Sequence, residues 1–95
     1  MAKILIVEDE QDLRQVLEYN LKQAGHEVIA AALGQDGIRL AREQHPDLVL
    51  LDLMLPDLPG TEVCKTLKEA PATKGVAILM VTARSEEIDR VVGFE

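Results

Sequence analysis

The sequence predicts an α/β fold in which helices cover both faces of a parallel β-sheet. Short apolar runs alternate with stretches in which apolar residues recur at helical spacing. The run at 48–51 is apolar throughout, which is typical of a strand buried on both faces. Because strands alternate with helices along the chain, we expect a parallel sheet with right-handed crossovers. The 95 residues, 47% hydrophobic and 28% charged, suffice for a single domain over 1–95.

The first half of the chain predicts two strand–helix units. The run at 4–7 is rich in β-branched residues and predicts the first strand. Apolar residues at helical spacing, followed by Gly25 as a stop, indicate the first helix; they are Leu13, Val16, Leu17, Leu21 and Ala24. The run at 28–31 predicts the second strand. The second helix is expected at about 35–44, where His45-Pro46 ends it.

The second half continues the alternation. The third strand is expected at 48–51, with Asp52 at its end. A loop at 53–60 carries two prolines and leads into a third helix, which we expect around residues 63–67. The run at 76–81 predicts a fourth strand with Thr82 at its end, and Ser85 is a suitable N-cap for a fourth helix starting near residue 86.

Composition excludes several classes of function. Seventeen acidic and ten basic residues give a net charge of −7, which disfavours binding to nucleic acid or to an anionic membrane. Cys64 is the one cysteine, so an internal disulfide and a thiolate zinc site are excluded. No apolar stretch approaches the length of a membrane span, and the apolar run near the N-terminus is too short for a signal peptide. We therefore expect a cytoplasmic protein.

Polar residues follow three of the predicted strands at their carboxyl ends, where ligands bind in open parallel sheets. Glu8 and Asp9 follow the first strand, Asp52 the third and Thr82 the fourth. Each acid alone is interpreted as a solvated loop charge, but together they favour a metal and phosphate site. If the first and third strands are neighbours, the three carboxylates converge, and oxygen ligands favour Mg²⁺, with Mn²⁺ as the alternative. A carboxylate beside such a metal can accept a phosphoryl group.

Three segments resemble the receiver domain of bacterial two-component response regulators. They are residues 4–10 with the acidic pair, residues 48–60, and residues 80–83 with the sequence Met-Val-Thr-Ala. In the middle segment Leu-Leu-Asp-Leu-Met-Leu-Pro places Pro56 four residues after Asp52, and Gly60 follows eight residues after it. The residues at 53–56 and 89–95 resemble those of the subgroup that carries a winged-helix DNA-binding output domain.

The resemblance implies a flavodoxin-like, doubly wound sheet with strand order 2-1-3-4, and a role for each site residue. Asp52 would accept a phosphoryl group from a phosphohistidine of a sensor histidine kinase. Asp9, Asp52 and the backbone carbonyl of Met54 would bind Mg²⁺, and Glu8 would act through water. Thr82 would contact a phosphoryl oxygen. The domain would switch an output domain in the full-length protein without binding nucleic acid or membrane itself.

Compared with the family, the sequence is expected to be C-terminally incomplete. A fifth strand and a last helix would be missing, together with a lysine and an aromatic residue that the family carries on that strand. We therefore expect impaired phosphorylation and dephosphorylation, and an exposed edge at strand four that favours association or dimerisation.

Two other functions compete with the phosphoacceptor switch. One is a receiver-like interaction module that is not phosphorylated. The other is a metal-dependent phosphotransferase, phosphatase or nuclease of another parallel-sheet family, for which so short a chain leaves little room for a substrate pocket.

The remaining polar and sulfur-containing residues are expected to have structural roles. His26 and His45 have no metal-ligand partner at suitable spacing, and Asp57 and Glu62 are interpreted as solvating the loop and the third helix. The side chains of Met54 and Met80 are expected to pack. Residues on helix one, among them Leu13, Arg14 and Leu17, are candidates for kinase contact by the resemblance.

Overall fold

The computed structural model describes residues 1–81, in which four strands alternate with three helices. The strands are β1 (Lys3–Val7), β2 (Glu27–Ala31), β3 (Leu48–Asp52) and β4 (Ala77–Val81). The helices are α1 (Gln11–Gln23), α2 (Gly34–Gln44) and α3 (Gly60–Glu69). The predicted fourth helix lies outside the described residues. None of the three helices is long and apolar enough to cross a membrane.

The sheet is parallel with strand order β2-β1-β3-β4, which confirms the predicted fold and order. β1 pairs with both β2 and β3, so it occupies an interior position. In the register of β1 with β3, Val7 is the partner of Leu51. Because the strands run in the same direction, the residues after Val7 and Leu51 emerge at the same edge of the sheet.

Two hydrophobic clusters lie on opposite faces of the sheet, as the period of two along each strand requires. The first contains alternate residues of β1 and β3 packed under α2 and α3; its buried members are Leu5, Val7, Ala41, Val49, Leu51, Val63, Leu67 and Val76. The second contains Ile4, Ile6 and Leu50, against which Leu17 and Leu21 of α1 pack. Helices therefore cover both faces, as predicted.

Helix α1 is less buried than its apolar spacing predicts. Leu17 and Leu21 contact the sheet, but no residue of α1 is buried, and Val16 is 54% exposed. Val16 is not among the residues that pack against the second cluster, although it shares the helical spacing of the inner residues. Within residues 1–81 the spacing located the helix and two of its inner residues, Leu17 and Leu21, whereas Val16 shares the spacing and is exposed.

Two predicted helix stops are confirmed by their backbone geometry. Gly25 has a φ of 94°, which a residue with a side chain rarely adopts, and its N–H donates to the carbonyl of Lys22 at the end of α1. His45 ends α2 in the left-handed conformation with a φ of 51°, and Pro46 follows. His26 has the structural role that was expected, because its Nδ1 accepts a hydrogen bond from the N–H of Ala2 at 3.0 Å.

Gly60 begins α3 in close contact with the end of β3. Its N–H donates to the carbonyl of Leu53 at 2.8 Å, and a Cβ at this position would meet the carbonyl oxygen of Asp52 and lie 2.8 Å from the Cα of Leu53. These are backbone atoms, which cannot turn aside as a flexible side chain can. A glycine here therefore lets α3 start directly beside Asp52.

We expect Gly60→Ala to destabilise the fold by about 2–3 kcal/mol, because the added methyl group overlaps backbone atoms. The matched control is Gly75→Ala, since a Cβ at Gly75 would meet no atom within 4 Å. Urea unfolding followed by circular dichroism measures both variants. Equal stability of the two variants would contradict the proposed close contact.

Candidate functional site

Three acidic side chains converge at the carboxyl edge of the sheet. Glu8 and Asp9 follow β1, and Asp52 is the last residue of β3. Each offers one carboxylate oxygen, and these oxygens all lie within 4.8 Å of one another. Glu8 and Asp52 are buried, with 3% and 7% exposure, whereas Asp9 is exposed. The structure thus brings together the three acids that the sequence singled out.

Burial is the main cause of the raised pKa of the Glu8 carboxyl group. Desolvation raises the pKa of its carboxyl group to about 7 from an ordinary value of 4.5, and the negative charges of Asp52, Asp9 and Glu10 add to the increase. A hydrogen bond from the N–H of Glu10 to Oε2, at 3.0 Å, opposes it. Among the residues described, Oε1 of Glu8 is the one buried side-chain oxygen without a hydrogen-bond partner.

Asp52 is perturbed in the same direction. Desolvation is the largest cause that raises the pKa of its carboxyl group, and the neighbouring carboxylate of Asp9 raises it further. The N–H of Met54 donates to Oδ1 at 3.4 Å, which partly stabilises the ionised form. Two buried carboxyl groups and a third at the surface therefore share a site in which ionisation is costly without a positive charge.

Arg14 holds the loop that carries the acidic pair. Its Nη1 donates to the backbone carbonyl of Glu8 at 2.8 Å and lies 3.5 Å from the carbonyl of Asp9. The guanidinium therefore ties the first turns of α1 to the end of β1. From the sequence, Arg14 was a candidate only for kinase contact. No spacing of residues predicts its second role, which is to hold this loop.

Met54 lies in a tightly closed loop after β3. It pairs with Pro59 in an isolated antiparallel bridge, which brings the two sides of the loop together. Met54 is 47% exposed, so the expectation that its side chain packs is wrong: in this loop Leu55 and Leu58 pack against the first cluster instead. Met80, in contrast, is partly buried and packs against the first cluster. Coordination by the Met54 carbonyl remains a prediction.

Asp57 makes a second contact that the sequence did not predict. Its Oδ1 accepts from the N–H of Gly34 at 2.8 Å and its Oδ2 from the N–H of Gln35 at 2.9 Å. These two hydrogen bonds lower the pKa of the Asp57 carboxyl group, and the one from Gln35 has the larger effect. Asp57 is thus not merely a solvated charge but caps α2 from 23 residues away. One feature of the sequence could have indicated this contact. Leu33, at the N-cap position of α2, has no polar side chain that can cap the helix, so the acceptor has to come from elsewhere.

The donor set of the acidic site fits a hard divalent cation. Carboxylate oxygens are the ligands that Mg²⁺ and Mn²⁺ prefer, and Oε1 of Glu8 is buried with no hydrogen-bond donor beside it in the described part of the chain. Asp52, to which the sequence resemblance assigns the phosphoryl group, lies among these oxygens at the end of β3, and its role as acceptor remains a prediction. Thr82, the predicted phosphoryl contact, lies outside the described residues.

Comparison with known proteins gives a consistent result. Residues 4–95 match the family model described as the response regulator receiver domain. The chain is 45% identical over 95 residues to the transcriptional regulatory protein AfsQ1 of Streptomyces coelicolor. It is 45% identical over 93 residues to the alkaline phosphatase synthesis transcriptional regulatory protein PhoP of Bacillus subtilis. These matches cover 100% and 98% of this chain but 41% and 38% of the relatives, so the chain spans about two fifths of their length.

Solved structures share the fold. The N-terminal domain of a response regulator receiver protein from Methanoculleus marisnigri superposes with a TM-score of 0.85 at 32% identity, over 98% of this chain and 77% of that one. The chemotaxis response regulator CheY4 of Vibrio cholerae gives a TM-score of 0.84 at 31% identity, over 98% and 81%.

The raised pKa of Glu8 predicts a specific pH dependence for the metal-free protein. Between pH 4.5 and 7 the unfolded chain has lost the Glu8 proton while the folded chain retains it. The contribution of Glu8 to stability therefore falls as the pH rises through this range and stays low above it. Glu8→Gln should be more stable than the unsubstituted chain at pH 8, by about 3 kcal/mol, and the difference should vanish near pH 4.5.

Urea unfolding in the presence of a chelator, repeated from pH 4.5 to 8, measures this difference. Glu62→Gln is the control, because it makes the same substitution at an exposed site. A stability difference for Glu8→Gln that does not change with pH would contradict the raised pKa.

Proposed function

Because this chain belongs to the family of response regulator receiver domains, we propose that it is the phosphoacceptor switch of a two-component signalling system and that Asp52 accepts the phosphoryl group. The observation that carries the proposal is the position of Asp52. It ends β3 beside Glu8 and Asp9, with one oxygen of each acid within 4.8 Å of the others. Phosphoryl transfer depends mainly on such positioning and on charge neutralisation.

The proposed donor is a phosphohistidine of a sensor histidine kinase. A carboxylate oxygen of Asp52 attacks the phosphorus atom, the phosphorus–nitrogen bond breaks, and the imidazole nitrogen takes the electron pair. The product is an acyl phosphate on Asp52. The attacking carboxylate must be ionised, which burial in the protein alone disfavours.

Four residues are proposed to meet this requirement by holding Mg²⁺, or Mn²⁺ in its place. Asp9, Asp52 and the backbone carbonyl of Met54 would be direct ligands, and Glu8 would contribute through water. When bound, the cation supplies the positive charge that neutralises the carboxylates and the phosphoryl oxygens. Thr82 is proposed to donate its hydroxyl to a phosphoryl oxygen, on the strength of the sequence resemblance.

The proposed partners follow from the relatives. AfsQ1 and PhoP are transcriptional regulatory proteins more than twice as long as this chain. We propose that the chain switches a DNA-binding output domain in a longer protein, and that kinase and receiver meet in the cytoplasm. The net charge of −7 argues against DNA contact by the receiver itself. Leu13, Arg14 and Leu17 of α1 remain the proposed kinase contacts.

Incubation with acetyl phosphate and Mg²⁺, followed by intact-mass spectrometry, tests the phosphoacceptor. We expect one hydroxylamine-labile phosphoryl adduct, and at least a tenfold lower yield in Asp9→Asn because a direct metal ligand is lost. Asp52→Asn is the control and should carry no adduct, while circular dichroism establishes that each variant is folded. An adduct of equal yield in Asp52→Asn would sink the assignment, and a folded chain without any adduct would support the binding-module alternative.

A further inference from the structure

We propose that Asp57 is a positioning residue for the cation site, because its carboxylate fastens the loop at 53–59 to α2 and thereby holds the Met54 carbonyl in place relative to the acidic pair. The inference rests on the proposed function and deepens it, since it assigns a new residue to the same site. Asp57 itself is not proposed to touch the cation or the phosphoryl group.

The contact of Asp57 with α2 uses both carboxylate oxygens. Oδ1 accepts from Gly34 at 2.8 Å and Oδ2 from Gln35 at 2.9 Å. Two charge-assisted hydrogen bonds to consecutive amides fix the orientation of the carboxylate as well as its distance. The tip of the loop therefore cannot move relative to the start of α2 without breaking at least one of them.

Helix α2 depends on this contact for its first turn. Leu33 occupies the N-cap position with an extended backbone (φ −122°, ψ 149°) and makes no side-chain cap. The amides of the first turn have no partner within a helix and need an acceptor from elsewhere. Asp57 supplies it, and the negative carboxylate also suits the positive end of an 11-residue helix.

The same helix is fixed against the strand that carries the acidic pair. Gly37 lies so close to β1 that a Cβ there would come within 2.7 Å of Cγ2 of Val7. Val7 directly precedes Glu8. The position of α2 is therefore tied to the end of β1, and through Asp57 the loop tip is tied to the same place.

The base of the loop is attached to β3 instead. Gly60 donates to the carbonyl of Leu53 at 2.8 Å, and Met54 pairs with Pro59. A closed path of contacts then runs from β1 through α2 and Asp57 into the loop, and back to β3. Without the Asp57 contact the loop would keep its base contacts with β3 and the packing of Leu55 and Leu58 against the first cluster, but it would lose its hydrogen bonds to α2. The distance of the Met54 carbonyl from Glu8 and Asp9, which follow β1, would then be less tightly fixed.

Titration of the protein with Mn²⁺, with free Mn²⁺ measured by electron paramagnetic resonance, tests the inference without any phosphorylation. We expect Asp57→Ala to raise the Kd for Mn²⁺ about tenfold. Glu62→Ala is the charge-matched control, because it removes an exposed carboxylate from the first turn of α3. It should change the Kd less than twofold.

A second variant separates positioning from simple helix capping. In Asp57→Ala/Leu33→Ser the serine can cap α2 locally, since the backbone of Leu33 is already extended. The unfolding temperature should recover toward that of the unsubstituted protein. The Mn²⁺ affinity should remain weak, because the loop still lacks its hydrogen bonds to α2.

Three outcomes would overturn the inference. They are a Kd in Asp57→Ala within twofold of the unsubstituted protein, an equal weakening in Glu62→Ala, and recovery of affinity together with stability in the double variant. Each of these leaves the proposed metal site intact. Absence of Mn²⁺ binding by the unsubstituted protein would instead overturn that part of the proposed function, and this inference with it.

Discussion

Val7 and Leu51 are partners in adjacent parallel strands, and this pairing governs the whole acidic edge of the sheet. Because both strands end at the same level, Glu8 and Asp52 emerge side by side, and Asp9 follows in the loop. An antiparallel pairing would place the end of β3 beside the beginning of β1, about 15 Å away for a five-residue strand. The hydrophobic register of β1 and β3, which are buried on both faces, is therefore also what assembles the carboxylates.

The same pairing imposes an electrostatic cost. Hydrophobic strands bury the residues that follow them, so two of the three acids have lost most of their contact with water. Desolvation then raises the pKa of both Glu8 and Asp52, and mutual repulsion raises it further. The site therefore favours a positive charge. A divalent cation would offset both the repulsion between the carboxylates and the missing hydrogen bond at Oε1 of Glu8.

Helices position the loops of this site through hydrogen bonds to the backbone. Arg14 of α1 donates to carbonyls in the loop after β1, and the amides that begin α2 donate to Asp57 in the loop after β3. Gly60 lets α3 begin against the end of β3. Each loop that bears a candidate ligand is thus fixed by an element on the sheet, which gives the carboxylates a defined arrangement before any ligand binds.

Local patterns in the sequence determined most of the secondary structure. Alternating apolar runs gave the four described strands, and Gly25 and His45-Pro46 marked helix ends, because these are properties of neighbouring residues. The positions of Glu8, Asp9 and Asp52 after apolar runs predicted a common edge, since parallel topology leaves few other arrangements. The resemblance of short segments to a known family added strand order and residue roles.

Only the tertiary structure decided how those elements are tied together. Val16 shares the spacing of core residues yet is exposed, because which residues of a helix are covered depends on how it lies on the sheet. Asp57 caps a helix 23 residues earlier in the chain, and Arg14 reaches back to a loop carbonyl; neither contact has a fixed spacing that a local pattern could contain. The sequence by itself determined the elements and the acids at their ends, whereas the structure decided burial, charge state and the contacts that hold the loops, because these depend on how the elements pack and not on a local pattern.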